Sequence, residues 1–185
     1  MTREEAWDLL TEYTQSESLR KHALAVEGAM RGYARRFGED EVSWGVVGLL
    51  HDFDYERWPD PKDHTEQSAR ILGELGCDVE VIDAIRSHAP WNWDRWPLDR
   101  PLRKALYAVD ELSGFIVAVA YVRPGNLEGM KAGSVKKKMK QKGFAASVSR
   151  DDIRQGAELM GVSLEEHIDA VIGDLQLIAE DLGFS

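Results

Sequence analysis

The chain has 185 residues, of which 43% are hydrophobic and 30% are charged, and its formal net charge is -10. A chain this acidic lacks the basic field that tight, sequence-independent binding of long nucleic acids requires. Cys77 is the single cysteine, which excludes an intrachain disulfide and fits a reducing compartment. The N-terminus is charged where a signal peptide would be apolar, and no apolar run approaches the length of a membrane span. We therefore expect a cytoplasmic globular protein with no membrane contact.

Apolar residues recur every three or four positions through most of the chain, which predicts an all-α protein. Thr2, with Glu5 three residues later, predicts the capped start of a helix that runs to about Tyr13. Ser16 or Ser18 caps the next helix, which Gly38 ends. The remaining predicted helices cover approximately 40–53, 64–76, 79–89 and 101–122, with two more that begin near Asp151 and Ser163.

The stretch from Pro124 to Asn126 is the best candidate for a boundary. We nevertheless expect a single domain over residues 1–185, with a core at about 16–123 and the C-terminal helices of 126–185 docked on it. The last helix carries an apolar stripe from Leu164 to Leu182 that needs such a partner. His167 lies at the edge of this stripe and is predicted at the boundary between core and solvent.

Several polar residues fall on the inward faces of the predicted helices. His22 lies on the apolar stripe of its helix, and His51 follows Val47 by four residues at the end of an apolar run. A lone inward histidine is more often an ordinary core residue than a ligand. A buried carboxylate beside an imidazole, however, is costly without a partner. The inward set comprises His22, His51, Asp52, His88 and Asp110, with His64 at the mouth of its helix.

Imidazole and carboxylate side chains from separate helices suit a divalent first-row metal. The pattern H…HD…D, here His22, His51-Asp52 and Asp110, resembles the HD-domain superfamily of metal-dependent phosphohydrolases. The resemblance implies an HD-type helical bundle in which these four residues hold one metal ion. His64 and His88 look like the additional ligands of binuclear members, with Asp52 as the bridge. The implied cofactors are two divalent ions, drawn from Mn, Fe, Co, Ni, Zn or Mg.

The resemblance has one extension and two departures. Residues 134–138 and 144–146 are similar to the segment that follows the core in small bacterial HD proteins. Mononuclear nucleotidases of the family carry a glutamate three residues after the HD aspartate, where this chain has Tyr55. The flanking Asp54 and Glu56 are therefore the candidates for a general acid or base beside Asp52. The HD-GYP signature of cyclic-dinucleotide phosphodiesterases is absent.

Other residues are candidates for supporting roles. Glu111 or Asp54 could orient ligand imidazoles. The lysine-rich run at 136–142, with Lys136, Lys137 and Lys140, is a candidate contact for a phosphate, although such a run is usually a solvated face. Trp91 and Trp93 could line a substrate pocket or, equally well, pack as a cap on the core.

The leading hypothesis is hydrolysis of a phosphate ester, including a nucleotide, by a water molecule that the metal activates. One alternative is a di-iron oxygenase, because a few HD proteins with this ligand set use iron and dioxygen. Another is a ligand-sensing or interaction module that keeps the metal core for stability. The expected partner is a small phosphorylated molecule, and an oligomer is compatible with the sequence.

Overall fold

The computed structural model describes residues 1–184, and within that range it contains nine α-helices and no strand. The prediction of an all-α fold is therefore confirmed. The helices are α1 (Arg3–Tyr13), α2 (Glu17–Phe37), α3 (Glu41–Leu50), α4 (Glu66–Glu74), α5 (Val79–Ser87), α6 (Pro101–Tyr121), α7 (Ala132–Met139), α8 (Arg150–Leu159) and α9 (Leu164–Gln176), with a 3-10 turn at Pro90–Asn92.

The predicted helix starts agree with the capping residues. The Thr2 hydroxyl accepts from the Glu5 amide, and the Glu5 carboxylate accepts from the Thr2 amide, which forms a capping box. Ser16 rather than Ser18 caps α2, and Gly38 ends this helix with a φ of 71°. Such a positive φ favours glycine because it lacks a Cβ.

Two predicted boundaries beside the site differ from the structure, and one helix was not predicted. Helix α3 ends at Leu50 rather than Phe53, so that His51 is its C-cap and residues 51–57 form successive turns. Helix α4 begins at Glu66 rather than His64, which leaves His64 in the preceding turn. The lysine-rich run begins within α7, a helix that the apolar pattern did not predict.

Helices α2 and α6 form the centre of the bundle. Each has 21 residues, a length of about 31 Å at 1.5 Å per residue. Helix α6 packs against α2, α5, α7, α8 and α9, and α2 also packs closely on α3. The approach of α3 to α2 depends on Gly48, where an added Cβ would lie 2.9 Å from the Val26 carbonyl oxygen.

The C-terminal helices share the core of the bundle, because α7 and α8 pack on α6 and α9 packs on both α2 and α6. His167 is fully buried at this junction, so its predicted place at the boundary with solvent is wrong. The Tyr33 hydroxyl donates to His167 Nδ1 at 2.5 Å, and His167 Nε2 donates to the Ala108 carbonyl oxygen at 2.9 Å. Burial lowers the pKa of His167, which favours the neutral ring. No helix within residues 1–184 is both long and apolar enough to cross a membrane.

Candidate metal centre

Asp52 lies between two groups of histidines, just beyond the end of α3. Its Oδ2 atom is 3.6 Å from His51 Nε2, and its Oδ1 atom is 3.2 Å from His64 Nε2 and 3.3 Å from His88 Nε2. Each carboxylate oxygen therefore faces a different group of imidazoles. This is the arrangement that a bridging carboxylate requires.

The first group joins α2, the end of α3 and α6. Its ligand atoms come from His22, His51 and Asp52, all within 4.8 Å of one another. Asp110 completes the group from the middle of α6, with its Oδ1 atom 3.0 Å from His22 Nε2 and 3.4 Å from His51 Nε2. The structure thus brings together the four residues of the H…HD…D pattern.

The second group consists of Asp52, His64 and His88, whose ligand atoms also lie within 4.8 Å of one another. His88 is the C-cap of α5, and His64 comes from the turn before α4. Both histidines are buried, so His64 faces inward although it precedes its helix. All six side chains predicted as ligands therefore meet in one region.

The three buried imidazoles are held by their Nδ1 atoms. His51 Nδ1 donates to the Gly48 carbonyl oxygen at 2.8 Å, and His88 Nδ1 donates to the Ile85 carbonyl oxygen at 2.6 Å. A proton on Nδ1 leaves the Nε2 lone pair available for a metal. The local backbone therefore fixes the tautomer that a ligand needs.

Asp54 has the same effect on His64. The Asp54 carboxylate is fully buried, and its Oδ1 atom accepts from His64 Nδ1 at 2.9 Å. Its Oδ2 atom accepts from the amides of Thr65 and Ser68. Thr65 has a φ of 68°, which is rare for a β-branched residue and costs about 1–3 kcal/mol. Its hydrogen bonds to Asp54 and Asn92 hold this conformation.

The donor set fits a divalent metal at both groups. His51 Nε2 is buried and has no hydrogen-bond partner among the described residues, although it faces the carboxylates of Asp52 and Asp110. An unsatisfied buried nitrogen is costly unless a ligand occupies it. Imidazole nitrogens with carboxylate oxygens are suitable ligands for Mn, Fe, Co, Ni or Zn.

The charges of the six predicted ligand side chains depend strongly on one another. Burial opposes ionisation of His51, but Asp52 and Asp110 outweigh it and raise the pKa of His51 to about 9. The pKa of His64 also rises to about 9, because its hydrogen bonds to Asp52 and Asp54 outweigh burial. Burial would raise the pKa values of Asp52 and Asp110, but the imidazoles hold both well below the usual range. The six side chains are therefore arranged for positive charge at their centre.

A cavity of about 110 Å³ opens beside the two groups. Its lining includes His88 and Asp110 from the predicted ligand set, together with Tyr107, Glu111 and Asp152. Burial, with the neighbouring Asp110 carboxylate, raises the pKa of Glu111 to about 7. Glu111 accepts from the Ser149 amide and contacts no ligand imidazole through a hydrogen bond within residues 1–184. Asp152 lies in α8, and the pattern of inward residues gave no signal for it.

Trp91 lies at this cavity, but Trp93 does not. Trp91 lines the cavity, is 53% exposed and has its ring centroid 6.2 Å from that of His64. Trp93 donates its indole N–H to the Ser87 carbonyl oxygen and packs edge-on against Tyr107. Of these two tryptophans, Trp93 therefore packs on the core, and Trp91 places an aromatic side chain at the site.

The other predicted site residues lie away from this lining. Glu56 accepts from the amides of Gln15 and Ser16 at the start of α2. Lys136 pairs with Glu165 at 2.7 Å, and Lys137 and Lys140 are on the surface of α7 and at its C-cap. None of these side chains lines the cavity. A catalytic role for Glu56 and a substrate-binding role for the lysines stay predictions.

The fold and the site define a helical protein whose histidine and aspartate side chains could hold metal ions. The family model described as "HD domain" matches residues 19–120, more than half of the chain, so the protein belongs to the HD-domain family. HD domains are typically metal-dependent phosphohydrolases. The matched range contains all six predicted ligands. No curated protein and no solved structure matches the chain.

Proposed function

We propose that this protein hydrolyses a phosphate ester at a site for two divalent metal ions. One observation carries the proposal: the two oxygens of Asp52 face separate groups of imidazoles at 3.2–3.6 Å. His22, His51 and Asp110 would hold one ion with Asp52, and His64 and His88 would hold the other. When bound, such ions lower the pKa of a coordinated water and neutralise charge on phosphoryl oxygens.

The residues of the chain have separate tasks in this mechanism. The Gly48 and Ile85 carbonyls and the Asp54 carboxylate keep the proton on Nδ1 of three imidazoles. Trp91 limits the access of solvent beside His64, and the cavity at His88 and Asp110 receives the ester. The exposed fractions of the Asp52 and Asp110 side chains, 24% and 22%, leave both carboxylates accessible to substrate and water.

The test is metal content by elemental analysis, with hydrolysis of propyl phosphate and p-nitrophenyl phosphate by the same samples. We expect close to two ions per chain, a loss of metal in His51→Ala and in His88→Ala, and loss of hydrolysis in both. His167→Gln is the matched control, because it changes a buried histidine outside the site and is expected to retain the metal. Far-UV circular dichroism, which reports helix content, checks the fold of each variant.

Three results would contradict the proposal. Hydrolysis that persists in well-folded His51→Ala and His88→Ala would place the reaction elsewhere. Tightly bound iron, with oxygen uptake and no turnover of any phosphate ester, would indicate an oxygenase instead. An absence of metal after incubation with Mn²⁺ or Fe²⁺ would support a non-catalytic module.

A further inference from the structure

The cavity beside the ligands is small. Its volume of about 110 Å³ compares with about 300–1,000 Å³ for pockets that bury drug-sized ligands. A phosphoryl group that reaches His88 and Asp110 would leave room for only a few further atoms. The part of the substrate that the protein encloses is therefore short.

The part of the cavity wall that does not belong to the predicted ligand set is acidic. Glu111 and Asp152 contribute carboxyl groups to it, and none of the eight lining residues is Lys or Arg. Asp152 makes no ion pair within residues 1–184, whereas its neighbour Asp151 pairs with Arg154 at 2.7 Å. A second phosphate group would bind unfavourably at this wall, because its negative charge is repelled by carboxylates and no cationic side chain offsets that repulsion.

Asp152 is held in place by the start of α8. Its backbone amide donates to the hydroxyl of the N-cap residue Ser149, and the Ser149 amide in turn donates to Glu111. An acidic side chain in the first turn of a helix is stabilised by the helix dipole. Burial and the nearby Asp152 carboxylate raise the pKa of Tyr107 above its usual value, which keeps that hydroxyl protonated. The start of α8 therefore holds the backbone of Asp152 and the Glu111 carboxyl group at this cavity.

We propose that Asp152 is a specificity-determining residue that selects a small phosphate monoester whose alcohol carries a hydrogen-bond donor, either a hydroxyl or an ammonium group. This inference rests on the proposed function for the placement of the phosphate. The metal ions would hold the phosphoryl group beside His88 and Asp110, and the Asp152 carboxylate, which lines the same cavity, accepts from the donor. Molecules with a second phosphate at that position are excluded.

The test measures equilibrium binding, because phosphonates have a C–P bond in place of the ester and are not hydrolysed. Mn²⁺-loaded protein is titrated calorimetrically with 3-aminopropylphosphonate, 3-hydroxypropylphosphonate and butylphosphonate, three compounds of nearly equal size. A hydrogen bond to a charged group predicts at least about tenfold tighter binding of a donor-bearing compound than of butylphosphonate. A preference for either donor supports the inference and identifies the donor.

Asp152→Asn and Asp151→Asn form a matched pair. Both remove one negative charge from the first turn of α8, but only Asp152 lines the cavity. We expect Asp152→Asn to reduce the preference for 3-aminopropylphosphonate over butylphosphonate about tenfold without lowering the affinity for butylphosphonate. We expect Asp151→Asn to leave the affinities for both compounds unchanged. The manganese content of each variant is measured to exclude an effect on the ligands.

The inference is overturned if butylphosphonate binds as tightly as both donor-bearing compounds, or if Asp152→Asn and Asp151→Asn behave alike. Its failure is distinguishable from that of the proposed function. Turnover of propyl phosphate without a donor preference would reject the inference and retain the hydrolase. A donor preference without turnover of any ester would retain the role of Asp152 and reject hydrolysis.

Discussion

At the scale of single residues, Asp54 shows how a side chain can control a ligand that it precedes by ten positions. Its two oxygens accept three hydrogen bonds, one from the His64 ring and two from the backbone amides of Thr65 and Ser68. Both oxygens are buried and fully engaged. These bonds give Asp54 a positioning role beside His64, and its catalytic role stays a prediction.

We predict that Asp54→Asn weakens binding of the second metal ion about 10- to 100-fold. Asparagine has one acceptor oxygen, and keeping that oxygen on the two amides turns its NH₂ group towards His64 Nδ1. The imidazole must then accept at Nδ1 and carry its proton on Nε2, which blocks the ligand atom. Metal titration followed by elemental analysis should show one ion bound with unchanged affinity and one bound with reduced affinity.

Glu56→Gln is the control for this prediction, because Glu56 is two residues away and its carboxylate accepts only from exposed amides before α2. We expect both metal ions to be retained in this variant. Equal loss of metal in the two variants would show that the whole loop, and not the tautomer of His64, determines the affinity.

The inward positions of His22, His51, His88 and Asp110 could be predicted from the sequence because each lies on an apolar stripe or at its end, whereas His64 was included through the family resemblance. Their supporting contacts could not be predicted in the same way. The positive φ of Thr65 and the turn that directs His64 inward depend on hydrogen bonds to Asp54 and Asn92, which lie on different segments. Asp152 was missed because it is half-exposed, and its role depends only on the position of α8.

At the scale of elements, the contact between α2 and α3 sets the distance between His22 and His51. Gly48 lies at this contact, three residues before His51, and its carbonyl oxygen also accepts from the His51 ring. The space for a Cβ is filled by the Val26 carbonyl oxygen at 2.9 Å and by Met30 Cγ at 2.9 Å. The backbone at Val26 cannot move without shifting α2.

We predict that Gly48→Ala lowers the free energy of unfolding by about 1–3 kcal/mol, as expected for an overpacked core. It should also weaken binding of the metal ion that His22 and His51 would hold more than binding of the other ion, because these two side chains move apart. Thermal unfolding and metal titration measure the two effects. Gly73→Ala in α4 is the matched control, since no atom lies within 4 Å of its Cβ position. There the better helix propensity of alanine should raise stability by roughly 0.5–1 kcal/mol.

The starts of the helices were more predictable than their ends. Thr2, Ser16 and Ser163 accept from backbone amides within their own first turns, so local sequence decides these positions. Helix α3 stops at Leu50, and the turns that follow it place Asp52 and Asp54 at the candidate metal centre. This end depends on tertiary contacts and has no local sequence signal. Helix α7 was not predicted because five lysines between 136 and 142 hide its short apolar stripe of Ala132, Val135 and Met139.

At the scale of the whole molecule, the charges of the metal centre link stability to pH. The pKa values of His51 and His64 rise from 6.5 to about 9 in the folded chain. A raised histidine pKa contributes stability that is complete below pH 6.5 and is lost as the pH rises through about 9. The two rings share Asp52, so their joint contribution is on the order of 3 kcal/mol.

We therefore predict that protein stripped of metal by a chelator loses thermal stability between pH 6.5 and pH 9. Restoring Mn²⁺ should remove this decline, because the ion supplies the positive charge that the protons provided. Differential scanning calorimetry across this range measures both curves. A melting temperature of the stripped protein that is flat or rises with pH would contradict the charges assigned to His51 and His64.

Asp152 comes from a different part of the chain than the candidate metal ligands. All six candidate ligands lie between residues 22 and 110, whereas Asp152 and the Ser149 amide enter from α8 and the turn before it. Substitutions in α8 can alter the wall without changing a single atom that binds metal. If the proposed function and the proposed role of Asp152 hold, the residues for the reaction and a residue for substrate selection can therefore change independently. A lineage could acquire a new substrate by changing the first turn of one peripheral helix while its reaction chemistry stays the same.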